Sequence, residues 1–218
     1  MATKPNPLGR PRSFDMDRAL DRALDVFWRK GYEGASLSEL TSAMGINRPS
    51  LYAAFGDKET LFRRVLDRYF SGPAAFYQEA LKAKTARAAV EQLLRATVES
   101  QTRPGQPRGC LAVQGALACG KESEPIRQEL IRRRREGELL LRCRLERAQQ
   151  DGELAKNVNV TNLARFYSTV QQGMAVQATG GASRRELQSL IESAMRAWPG
   201  SVRKPAKNQT GSRELTRH

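Results

Sequence analysis

Residues Ser36–Leu61, SLSELTSAMGINRPSLYAAFGDKETL, constrain this chain more tightly than any other stretch. Leu37, Leu40 and Met44 recur at helical spacing, so a helix here buries one face. Gly45 follows, a residue suited to the left-handed turn that stops a helix. Ile46 returns to the core. Asn47 is positioned to cap a second helix, and Pro49 falls in its first turn, where a missing N–H costs nothing. That second helix ends near Phe55-Gly56. Leu51 and Phe55 are four residues apart and face inward, which leaves Arg48, Ser50, Tyr52, Ala53 and Ala54 outside. A helix this short needs a scaffold, and two helices joined by a glycine turn are the geometry of a helix-turn-helix that reads DNA.

Charge alone does not carry that reading. The formal net charge is +14 over 218 residues. Residues 1–70 hold only 12 Lys/Arg against 9 Asp/Glu, whereas the last 21 residues hold five against one. The excess is therefore spread out, and the expectation of an anionic partner rests on pattern. Three cysteines at irregular spacing make no disulfide framework, which fits a reducing cytoplasm. No apolar run approaches the ~18 residues of a membrane span, and MATKPNPLGRPR lacks the apolar centre of a signal peptide.

Along the chain, residues 1–12 read as an extended basic arm in which Arg10 can enter a minor groove. A first helix is expected from Ser13 to about Lys30, with Phe14, Ala19, Ala23, Val26 and Phe27 inward. Ser36 or Ser38 caps the second, and Asp57 caps the fourth, which Gly72-Pro73 breaks or kinks before a helical pattern resumes over 74–81. Further helices are expected over 86–101, 110–119, 123–150, 159–179 and 183–198. The long charged one carries an inner stripe of Ile126, Leu130, Leu139, Leu140 and Leu145. Ser183 and Glu186 form a capping box for the last. Residues 200–218 are polar and basic and read as a disordered tail. No segment alternates as a strand. The expected fold is all-α, with about nine helices.

The set Gly31-Tyr32, Ser36, Gly45-Ile46, Leu51-Tyr52, Phe55, Lys58-Glu59 and Leu61-Phe62 closely resembles the DNA-binding signature of the TetR family of bacterial transcriptional regulators. The resemblance covers about residues 14–70; beyond that it lies in architecture only. It implies a DNA-binding domain over 13–57, a ligand-binding and dimerisation domain over 58–199, a homodimer on double-stranded operator DNA, and a small-molecule effector. It also implies roles. Arg48 would donate to a guanine edge. Pro49 and Ser50 would lie against the DNA, with Ser50 on a base or phosphate. Tyr52 would reach a phosphate, and Lys58 and Ser36 would hold phosphates at helix N-termini. Ala53 and Ala54 replace the larger residues of many members, so direct base reading by this helix is expected to be thin.

Cys110 follows Arg108-Gly109 and opens an apolar helix, where the helix dipole and a guanidinium both favour the thiolate. Cys119 lies nine residues on, about half a turn round the helix, so the two do not share a face. The Arg-Gly-Cys-Leu run resembles a subset of the family, some of whose members sense electrophiles or oxidants through a cysteine. Gln114 lies on the face of Cys110 and can bond a ligand; Phe70, Tyr77 and Phe166 are candidate apolar walls. A metal site is not expected, since the only histidine is His218. That single terminal histidine also removes Ser-His-Asp and Cys-His catalysis, and no glycine loop cradles a phosphate, so neither an enzyme nor a cofactor is expected. The alternative is a helical protein-interaction or small-molecule-binding module that does not bind DNA.

Overall fold

The computed structural model describes residues 14–118 and 120–200, with the side chains of 117, 118 and 121 left aside. Arg10, the basic arm, Cys119 and the tail beyond Gly200 lie outside the described residues. Within them the chain forms ten α-helices and one short 3-10 turn, and no strand.

Helix α1 is Met16–Gly34, capped by Asp15, whose carboxylate accepts from the Arg18 amide at 3.0 Å. The start is three residues later than the expected Ser13, because the Asp15 carboxylate makes the cap. Gly31 interrupts the helix with φ 71° and ψ 179°, and the last turn follows it. Helix α2 is Leu37–Met44, α3 is Arg48–Phe55 and α4 is Lys58–Ser71. Gly72 then ends α4, and α5, Phe76–Leu81, runs separately. This break, one of the two outcomes that Gly72-Pro73 allows, accounts for the tenth helix. Helix α6 is Ala86–Gln101, α7 is Leu111–Ala118, and α8 is Glu124–Gln150, preceded by the 3-10 turn Lys121–Ser123. The closing pair is α9, Val160–Thr179, and α10, Arg184–Arg196.

Two apolar clusters hold these helices. The first gathers Phe27 and Trp28 of α1, Leu40, Leu51 and Phe55 of the helix-turn-helix, and Leu61, Phe62, Val65, Leu66 and Tyr69 of α4; Leu111 of α7 and Ile126 and Leu130 of α8 close it from the other side. The second gathers Val90, Leu93, Leu94 and Val98 of α6 with Leu141 and Leu145 of α8, Tyr167 and Met174 of α9, and Leu187 and Ile191 of α10. Helix α4 lies along α1 while α8 spans both clusters, so the two halves share walls rather than a flexible joint.

The inner stripe of α8 differs from the sequence expectation at its centre. Leu141 is fully buried, while Leu139 and Leu140 are 46% and 43% exposed. Leu130 to Leu141 is about three full turns, so the helix returns to the same face at Leu141 and has turned away at the two preceding leucines.

Candidate nucleic-acid interface and internal cavity

The α2–α3 unit is assembled by local chemistry. Ser36 and Glu39 make a reciprocal cap: the Ser36 hydroxyl accepts from the Glu39 amide at 3.2 Å, and the Glu39 carboxylate accepts from the Ser36 amide at 3.1 Å and its hydroxyl at 2.9 Å. Lys30 adds an ion pair, and this hydrogen bond, with those from Ser36, holds the Glu39 carboxyl down from its ordinary 4.5 to about 2. Gly45 closes α2 in the left-handed region, φ 70° and ψ 32°. The Arg22 guanidinium of α1 donates to the Ala43 carbonyl at 3.2 Å, neutralising an open end of α2. Asn47 then caps α3 by accepting from the Ser50 amide at 2.8 Å. Leu51 and Phe55 are fully or almost fully buried beneath it.

With the inner face fixed, the outer face is determined. Arg48, Pro49, Tyr52 and Ala53 are exposed and Ser50 is half-buried. Arg48 and Tyr52 have no ion pair and no side-chain hydrogen bond to another described residue. This is a helix face built to be filled from outside. Two other predicted contacts are more engaged. The Ser36 hydroxyl is already used in its cap. Lys58, at the first position of α4, lies with Nζ 4.5 Å above the Tyr32 ring. Burial lowers its pKa, and Glu33 opposes that shift. Its charge therefore sits at the helix N-terminus on an aromatic support rather than on a free stem.

Behind α4 lies a cavity of about 170 Å³. Phe70, Tyr77 and Cys110 line it, together with Tyr69, Phe76, Val113 and Gln101. Gln114 and Phe166 do not. The Gln114 amide donates to the Arg108 carbonyl at 3.1 Å and bonds Thr179 Oγ1 of α9. Phe166 is 40% exposed and packs edge-on against Tyr167. Both polar and aromatic character were legible in the sequence; the direction in which each helix turns was not.

Cys110 is half-buried and precedes the first turn of α7, its carbonyl accepting from the Val113 and Gln114 amides at 3.1 and 3.0 Å. The Arg108 guanidinium, expected beside the thiol, instead donates to the Ala182 carbonyl in the α9–α10 turn. The neighbour of the thiol is the Tyr69 hydroxyl. Burial first, and Cys110 after it, push that phenol well above its ordinary range. Tyr69 in turn meets the Trp28 indole edge-on at 4.9 Å between centroids. Trp28 Nε1 donates to the Gly109 carbonyl at 3.1 Å, in a buried bond between α1 and the residue before the cysteine. Gly109 has φ +80°, and a Cβ there would collide with Gln114, Thr179 and the Ala175 carbonyl. Around the same wall Arg133 of α8 pairs with Asp67 of α4, and Arg68 of α4 pairs with Asp21 of α1 at 2.7 Å. The cavity is thus tied to the helix that carries the helix-turn-helix.

A buttressed helix-turn-helix with an unpartnered outer face, joined to a helical body with an internal cavity, defines a ligand-responsive DNA-binding regulator. Comparison with known proteins agrees. A profile of bacterial regulatory proteins of the tetR family matches residues 19–65, and one of tetracyclin repressor-like C-terminal domains matches residues 86–197. The HTH-type transcriptional repressor ComR of Escherichia coli K12 is 36% identical over 197 residues, spanning 89% of this chain and 94% of its own length. BdcR, an HTH-type transcriptional repressor of the same organism, is 30% identical over 82% of this chain and 86% of its own. Among solved structures, a cysteine-substituted form of the TetR family transcriptional regulator CifR, complexed with a 26-bp double-strand operator DNA, shares 49% identity with a TM-score of 0.85; the match covers 87% of this chain and all of that one. The chain belongs to the TetR family of bacterial transcriptional regulators.

Among the described residues no group of three or more His, Cys, Asp or Glu side chains is placed to hold a metal ion, and no helix is long and apolar enough to cross a membrane.

Proposed function

We propose that this chain is a cytoplasmic, homodimeric repressor that binds double-stranded operator DNA through residues 13–57 and is released by a small molecule in the cavity or by modification of the Cys110 thiol. Residues 58–199 supply the effector and dimerisation functions, and no catalytic step is involved. The observation that carries the reading is the outer face of α3, where Arg48 and Tyr52 stand exposed above a fully packed inner face. Arg48 reads a base edge, Pro49, Ser50 and Tyr52 lie against the backbone and bases, and Lys58 and Ser36 mark the phosphates at the starts of α4 and α2. Arg10 adds a minor-groove contact from the arm. Dimerisation is supported by Phe166, Val176 and Leu190, large apolar side chains left 40–47% exposed on the closing helix pair. A dimer presents two α3 helices to successive major grooves, about 34 Å apart.

Two features support thiol sensing: Cys110 opens onto the cavity, and its neighbours Tyr69 and Trp28 lead to α1. The test is a protected footprint upstream of the chain's own gene, followed by operator release with an alkylating electrophile. Wild type is expected to release and Cys110→Ser to stay bound; an equal response in both removes this cysteine from the mechanism. A stable dimer without salt-dependent DNA binding would favour the module that does not bind DNA.

A further inference from the structure

We propose that the cavity is built for a small monocarboxylate whose anionic end pairs with Arg134 and whose apolar body lies among Tyr69, Phe70, Phe76 and Tyr77. This rests on reading the cavity as the effector site.

The charge comes from an inventory of the wall. Two arginines and two glutamates line the cavity, and three of these four are already paired outward. Glu138 accepts from Arg165 at 3.4 Å, Glu136 pairs with Arg132, and Arg133 pairs with Glu129 at 2.9 Å and with Asp67. Arg134 has no ion pair among the described residues, and its Nε is shielded from water without a hydrogen-bond partner. An unmatched guanidinium N–H on the wall of an apolar cavity selects for one negative charge.

One further wall residue points the same way. Gln101 is only 4% exposed, yet its Oε1 also lacks a partner; Ser168, 3% exposed, turns its hydroxyl to that of Tyr77. A buried polar atom left without a partner costs free energy that a ligand can return. Turning the amide over exchanges its oxygen for an N–H, so Gln101 can serve a carboxylate oxygen.

The size comes from the volume. An apolar cavity of about 150 Å³ holds one benzene molecule, so about 170 Å³ accommodates a single ring or a short chain. The remaining lining, Tyr69, Phe70, Phe76 and Tyr77, suits such a body.

The test uses the full-length protein and benzoate, with benzyl alcohol and benzamide as neutral counterparts of similar shape. Calorimetry gives affinity, and fluorescence anisotropy gives operator release. Benzoate is expected to bind roughly tenfold or more tightly than either neutral compound, and Arg134→Gln to lose that preference. Arg134→Lys recovers part of it, while Arg134→Gln keeps its operator affinity and its response to an electrophile. Equal binding of the three compounds, or no binding of benzoate by a protein that does bind its operator, overturns the carboxylate assignment and leaves the repressor reading intact. Failure to bind operator DNA breaks the repressor reading, and the calorimetric preference still decides the ligand class.

Discussion

Arg48 begins α3, is exposed, and makes no ion pair with a described carboxylate. Truncating it removes no ion pair or side-chain hydrogen bond to a described residue, so the effect of Arg48→Ala falls on DNA. Operator affinity is expected to drop by about 1–3 kcal/mol, with specificity relaxed at one base position. A competition binding series against single-base operator variants measures both; equal losses on operator and random DNA would show that Arg48 contacts only the backbone. Glu39 gives a prediction in pH. Its folded pKa of about 2 lies below the ordinary 4.5, so its carboxylate contributes stability that is complete above the unfolded value and is lost as pH falls through the folded one. Acid unfolding of wild type and Glu39→Gln should therefore converge between pH 4.5 and 2 and differ above it. A difference that persists to the lowest pH would place the effect elsewhere. At this scale the sequence was informative wherever a residue acts on its near neighbours. Ser36, Asn47, Asp57 and Ser183 cap because the amides they serve are three residues away. Gln101 and Ser168 were not legible as cavity residues, because what brings them to one wall is the meeting of helices far apart in the chain.

At the scale of elements, the helix-turn-helix depends on one backbone conformation. Gly45 occupies the left-handed region, and a Cβ there would come within 3.4 Å of the Arg22 guanidinium that closes α2. Gly45→Ala is expected to cost about 1–2 kcal/mol in thermal or denaturant unfolding. It should also weaken operator binding more than it weakens folding, since it tilts α3 relative to α2. A loss of stability with operator affinity unchanged would show that the turn tolerates the strain without moving α3. Helix α8 teaches a different lesson about legibility. Its ends were readable from Ile126, Leu130 and Leu145, but a helix so rich in arginine offers few apolar markers between them. With Leu139, Leu140 and Leu141 in a row, composition does not choose among three adjacent positions; helical spacing from Leu130 and Leu145 does, and it selects Leu141 for the face that meets α6 and α9. The split between α4 and α5 was visible as Gly72-Pro73, which left open whether the helix breaks or only kinks there.

In the whole molecule, one route links the cavity to the DNA-binding face: Cys110 and Tyr69, then Trp28, then the body of α1 against α2. Trp28→Phe keeps an aromatic ring beside Tyr69 and removes the Nε1 bond to Gly109. Operator affinity without effector should change little, while the drop in affinity caused by the effector should shrink about fivefold. A full response in this variant would move the coupling to the Arg133–Asp67 and Arg68–Asp21 pairs instead. Whether the chain binds DNA at all was legible in the pattern of Gly45, Leu51, Phe55 and Asp57. How the signal travels was not, because Trp28 and Gly109 meet across 81 residues of sequence.

Gly109 carries a genetic consequence. Its carbonyl receives the Trp28 bond, and the space where a side chain would stand is already filled by Gln114, Thr179 and the Ala175 backbone. Every codon change that alters this residue therefore disturbs the entry to α7 and its link to α1 at once, without touching the outer face of α3. A selection for alleles that keep a reporter gene silent in the presence of inducer should return substitutions at position 109 repeatedly. Such alleles should be dominant over wild type, because each altered subunit still occupies half an operator.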